Sequence, residues 1–74
     1  MAPDVAAYRN SLAGAYLMSE DAARAVEQYL AAVALAPSDA RLRMNLAQAY
    51  EQAGQEGEAA AARAAHARLV GQEE

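Results

Sequence analysis

Few side chains in this sequence could carry out chemistry. His66 is the only histidine among 74 residues, and cysteine is absent. Without cysteine there is no disulfide, no thiolate metal site and no thiol nucleophile. A lone histidine builds a metal centre only where several carboxylates converge on it. Around His66 the chain offers Arg63, Arg68 and alanines. No serine stands beside it as a nucleophile, and no carboxylate is placed to orient it. The acidic pairs Glu56/Glu58 and Glu20/Asp21 fall where helices are expected to begin, and there negative charge complements the helix dipole. Arg24 with Glu20 or Glu27 reads as an ordinary helix-surface pair. A glycine-rich phosphate loop and zinc-ligand spacing are both missing. The sequence therefore predicts no catalytic, cofactor-binding or metal residues, and a chain that is not itself an enzyme.

The remaining chemistry is that of binding. Arg41 could pair with a carboxylate, and Asn45 and Gln48 can both donate to and accept from a peptide backbone. Ten acids oppose six bases, all arginine, giving a net charge of −4. Such a chain lacks the basic stripe that neutralises phosphates, which argues against nucleic acid as a partner. No run of 18 apolar residues predicts membrane insertion. The start, Met1-Ala2-Pro3-Asp4, has no basic segment leading into an apolar one and does not read as a signal peptide. A soluble, by default cytoplasmic, protein is expected, with its compartment unspecified.

Helices must position these side chains. Alanine, the strongest helix former, supplies 23 residues, and leucine, glutamate, glutamine and arginine follow it closely in propensity. The β-branched residues are four valines, which argues against strands. Breaks at Pro3, Ser19-Glu20-Asp21, Ala36-Pro37-Ser38-Asp39 and Ala53-Gly54-Gln55 divide the chain into four helical runs. The first covers about 4–18, with Asp4 as cap and Val5, Tyr8, Leu12, Ala15 and Tyr16 as its apolar stripe. The second covers about 21–35, with its stripe at Ala22, Ala25, Val26, Tyr29, Ala32 and Val33, and is stopped by Pro37. Ser38 or Asp39 caps the third, about 39–53, whose stripe is Leu42, Leu46, Ala49, Tyr50 and Ala53. Gly54 supplies the left-handed residue that ends it. The fourth, about 56–70, carries Ala59, Ala62, Ala65, His66 and Leu69, and Gly71 to Glu74 reads as a frayed tail. Loops this short impose antiparallel neighbours, so the expectation is two helical hairpins in series.

A shift of 34 residues places Pro3 on Pro37, Arg9 on Arg43, Leu12-Ala13 on Leu46-Ala47, Tyr16 on Tyr50 and Leu35 on Leu69. Alanine inflates any such count, so the recurring Leu-Ala-x-x-Tyr and the boundary proline carry the argument. This pattern resembles the tetratricopeptide repeat. In the first unit Leu12-Ala13, Tyr16, Ala25, Tyr29, Ala32 and Pro37 match its signature, with Arg9 where the initial tryptophan would stand. In the second, Leu46-Ala47, Tyr50, Gly54 and Ala59 match. The pattern then decays, with Arg63, His66 and Gly71 in place of Tyr29, Ala32 and Pro37. The resemblance implies an all-α fold: two antiparallel helix-turn-helix hairpins stacked as a short right-handed α-solenoid. It would form one domain over 1–74, with repeats at about 4–37 and 38–71 and a tail at 72–74. Small residues at Ala13, Ala25, Ala47 and Ala59 would let paired helices approach closely, while Tyr16 and Tyr50 fill the space between them. Arg63, His66 and Arg68 would solvate an outer, terminal face. Pro3 reads as the end of a preceding repeat, and the chain as the last two repeats of a longer array.

The resemblance further implies protein–protein binding, with a partner peptide or protein segment held in a concave groove lined by the first helix of each hairpin. Carried over by helix face, the groove residues are Asn10, Gly14 and Leu17 from the first helix, and Arg41, Met44, Asn45, Gln48 and Gln52 from the third. Leu17, Met18 and Met44 lie off the main stripe, as groove floor or inter-repeat packing. Lysine is absent, and Gly14 and Met44 stand where a chaperone-tail clamp needs polar or basic side chains, so no such clamp is expected. The alternative is self-association. Two repeats leave the outer faces of the stack bare, and Val5, Tyr8 and Val26 are the expected contact in a homodimer or longer stack. A third reading is an accessory domain that positions a substrate protein for a larger enzyme.

Overall fold

A computed structural model describes residues 5–71. The expected cap at Asp4, the boundary at Pro3 and the tail at 72–74 lie outside the described residues. Four helices make up the fold, α1 (Val5–Met18), α2 (Ala22–Leu35), α3 (Ala40–Gln52) and α4 (Glu56–Gly71), and no strand occurs among the described residues. Each helix starts and stops for a local reason. The Asp21 carboxylate accepts from the Arg24 backbone N–H (3.2 Å) at the start of α2, and Asp39 accepts from that of Arg41 (3.1 Å) at the start of α3. Each thereby satisfies a donor that the helix leaves orphaned. Asp39, not Ser38, is the cap, and it stands just outside the helix. Arg24 pairs with this same Asp21 rather than with Glu20 or Glu27. Gly71, expected in the frayed tail, is the last residue of α4.

The two hairpin turns are built alike, one period apart. Glu20 has φ +61° and Gly54 has φ +80°, and their positions differ by the same 34 residues as the sequence repeat. In the first turn the Asp21 N–H donates to the Tyr16 carbonyl (2.8 Å) and the Glu20 N–H to the Leu17 carbonyl (3.0 Å). In the second, Gln55 donates to Tyr50 (2.8 Å) and Gly54 to Glu51 (3.0 Å). These are the paired bonds of a Schellman cap, which needs a left-handed residue after the helix. Glycine meets that need without strain, whereas Glu20 holds the same conformation against its Cβ.

The helices pack in adjacent pairs, α1 with α2 and α3 with α4, and α2 also packs on α3. Short turns join the helices of each pair, so the two run antiparallel; Arg9 to Gln28 bridges the first pair and Arg63 to Glu51 the second. Ala13, Ala25, Ala47 and Ala59 are buried as expected. Each lets the partner helix come close because it projects nothing beyond Cβ. Tyr29 and Leu46 supply the volume, and Tyr16, Leu17, Val33 and Tyr50 pack partly buried against this core. Burial raises the Tyr29 phenol above its ordinary pKa.

Several expectations about apolar faces are corrected. The α1 stripe is only partly core: Val5, Tyr8 and Ala15 are exposed, Leu12 is half-buried and Tyr16 packs partly buried on the core, so the only α1 residue fully buried is Ala13. Val26, assigned to an exposed self-association face, is 8% exposed and belongs to the core. The reason is the same in both cases. Val26 lies on α2, which has a helix on either side, whereas α1 packs on α2 and only lightly on α3. The expected stripe of α3 also ends early, because Ala53 is exposed and follows the helix.

Candidate functional site

The expected groove residues fall on two helices whose relation had to come from the fold. Asn10, Gly14 and Leu17 are spaced four and three apart on α1, and Asn45, Gln48 and Gln52 three and four apart on α3, so each set lines one helix face. The faces meet where the Asn45 side-chain amide donates from Nδ2 to Asn10 Oδ1 at 2.9 Å, partly buried. This bond joins the first helices of the two hairpins.

Towards the start of α3 the seam opens into a cleft of about 210 Å³ lined by Ala6, Asn10, Asp39, Arg41 and Leu42, among others. Arg41 is present on its rim, but already has a partner. Its Nε donates to Asp39 Oδ1 (3.2 Å) and its Nη2 to Asp39 Oδ2 (3.0 Å). Those side-chain bonds, with smaller backbone and charge contributions, hold the Asp39 carboxyl below the usual carboxylate range. An exposed pair of this kind holds little stability, but it fixes where the guanidinium sits. The sequence pointed Arg41 at a partner's carboxylate and Asp39 at a helix end, and did not pair the two.

Along the rest of the face, Gly14, Leu17 and Met44 are half-buried, while Gln48 and Gln52 are exposed and have no side-chain partner among the described residues. Gly14 leaves room for the Tyr29 hydroxyl, which would stand 3.9 Å from a Cβ there. Leu17 packs on the core and is groove floor at most by its edge. Met18 points away from any packing and is exposed. His66 is half-buried on α4, and among the described residues no three acidic, histidine or cysteine side chains gather around a point. No helix among the described residues is long and apolar enough to cross a membrane.

The α1/α3 face is thus a strip of amides with one internally satisfied ion pair at its end. Its uncharged amides can hydrogen-bond a peptide. Comparison of the chain with protein families, with characterised proteins and with solved structures found no match.

Proposed function

We propose that this chain is a protein-interaction module of the tetratricopeptide type, not itself an enzyme, which holds an extended segment of a partner protein along the α1/α3 face. The observation that carries this reading is the Asn10–Asn45 bond. One hydrogen bond between two side-chain amides leaves Asn10 Nδ2 and Asn45 Oδ1 uncommitted by that bond, a donor and an acceptor on neighbouring helices. If both amides are turned over, the donor and acceptor exchange places and the pair survives. A peptide backbone presents the complementary pair at every residue, an N–H and a C=O. Gln48 and Gln52 extend the same chemistry along α3. The recurrence of the two turns at the repeat spacing supports a two-repeat solenoid in which such a face would be concave.

The test is selection of binding peptides from a random-sequence display library, followed by titration of the variants. Asn45→Ala is expected to weaken a selected peptide by about tenfold, the worth of one or two net hydrogen bonds. Asn10→Ala should do the same, with helicity by circular dichroism unchanged. Arg41→Glu, which repels Asp39 and opens the end of the cleft, should weaken it as well. Unchanged affinity in all three removes the site.

A second reading, self-association, is favoured by one observation: Tyr8 and Val5, on the outer side of α1, are 62% and 46% exposed. With Val26 in the core, that face comprises Val5, Tyr8 and the half-buried Leu12.

A further inference from the structure

α2 and α4 both flank α3, and their backbones stay apart. A groove therefore opens between them, with α3 as its floor. Its floor residues, Arg43, Leu46 and Tyr50, lie on the side of α3 opposite Asn45, Gln48 and Gln52, as helical spacing requires. The groove has two adjoining hollows of about 250 Å³ each, with Arg43 common to both. Leu30 lines one and Arg68 and Leu69 the other.

Arg43 has less hydrogen bonding than its burial calls for. Its Nη2 makes a long bond, 3.4 Å, to the Pro37 carbonyl, and its Nε is buried with no acceptor. The register mate explains the deficit. One period earlier, Arg9 donates to Gln28 Oε1 at 2.9 Å, whereas the residue 34 after Gln28 is Ala62, which has no acceptor to offer. Neither Arg43 nor Arg68 forms an ion pair with any described residue; the ion pairs present belong to Arg24, Arg41 and Arg63. Glu58, a carboxylate lining the groove, accepts instead from Gln55 at 3.4 Å. A chain of net charge −4 thus places, beside Leu30, Leu46 and Leu69, two guanidinium groups that form no ion pair among the described residues.

We propose that this groove docks a partner segment that presents a carboxylate between apolar side chains. Arg43 and Arg68 take the carboxylate, with the planar donor geometry suited to it. Leu30 and Leu69 cover the apolar neighbours. This surface is separate from the amide face, so one module could hold two segments at once. A nucleic acid is disfavoured by the acidic surroundings, and a small inorganic anion would leave the leucines uncovered.

The probe is the blocked pentapeptide acetyl-Ser-Leu-Glu-Leu-Ser amide, titrated into the full chain and followed by nitrogen–proton NMR. Its twin carries glutamine for glutamate. The glutamate peptide should shift the Arg43 Nε–H resonance and the amides of Leu30, Ala65 and Leu69, and saturate at a Kd of roughly 0.1–1 mM. The glutamine peptide should bind about tenfold more weakly, the effect of losing charge assistance. Arg43→Met keeps the volume and removes the unpaired donors, so it should fold at least as well and lose the response. Arg68→Gln, on an exposed position, should weaken binding without touching the core. Asn45→Ala should leave this binding unchanged, which separates it from the amide face. Equal binding of the two peptides, a response centred on Asn45 and Gln48, or full binding by both arginine variants would overturn the proposal. So would shifts that follow protein concentration and not added peptide, which would assign the groove to a second copy of the chain.

Discussion

The first helices of the two hairpins carry related residues at related positions and meet opposite fates. Leu42 and Leu46 of α3 are each 4% exposed and Ala49 is fully buried. One period earlier, Tyr8 is mostly exposed, Leu12 is half-buried and Ala15 is exposed. The residue types do not explain this, since a leucine and an alanine recur unchanged. What differs is the neighbour. α2 lies against α3 and covers that face, and no described element lies against the corresponding face of α1. The far end of the chain makes the contrast sharper. Val26 and Tyr29, which α2 buries, have Ala60 and Arg63 as register mates on α4, both exposed, and Arg63 is tied to Glu51 on α3. For this face, burial depends on the neighbouring hairpin and not on the residue types. The α4 end has been given side chains that tolerate water, and the α1 end has kept side chains suited to being covered.

The strongest way to break this comparison is to make the same truncation at both positions. Leu46→Ala is expected to cost about 2–4 kcal/mol, because the cavity is enclosed by its neighbours. Leu12→Ala should cost no more than about 1 kcal/mol, since a partly exposed side chain loses less burial. Urea melts at low protein concentration check both. Equal losses would mean that α1 is covered in solution by something other than α2.

Tyr8→Glu asks what does the covering. If copies of the chain meet through this face, wild-type mass by light scattering should rise with concentration, and the melting point should rise with it. Tyr8→Glu should return the mass to that of one chain at every concentration. A dimer that survives the change refutes this face as the contact.

The smallest effects come from the turns, and they sharpen the repeat itself. Gly54→Ala should destabilise by about 1 kcal/mol, because φ is positive there and alanine resists it. Glu20→Gly should stabilise by about 0.5–1 kcal/mol by relieving the same resistance one period earlier. Opposite signs at equivalent positions, read from thermal or urea melts, would show that the turns are energetically as well as geometrically alike. Two changes of the same sign would sever the equivalence.

What was legible in the chain was what its near neighbours decide. Asp39, one of two expected caps of α3, bonds a backbone N–H two positions away; Asp21, expected only as favourable charge at a helix start, caps α2 in the same local way. Pro37 and Gly54 stop helices through their own backbone preferences, so the four helices could be placed to within a residue or so at most described ends. The close-packing alanines at 13, 25, 47 and 59 were also legible, because small residues recurring at the hairpin spacing have few other uses. The amides of the α1/α3 face could be placed on their helices by spacing, but not paired.

The sequence by itself determined an all-helical chain in two similar hairpins, because propensity, caps and turn residues act over a few positions. Only the tertiary structure decided which apolar stripe is core. It buried Val26 and left Tyr8 bare, joined Asn10 to Asn45 across two helices, gave Arg41 to Asp39, and left Arg43 without the acceptor that Arg9 finds in Gln28. Each of these depends on which helices lie side by side, and a helix can present the same face to a neighbour or to water without any change in its own residues.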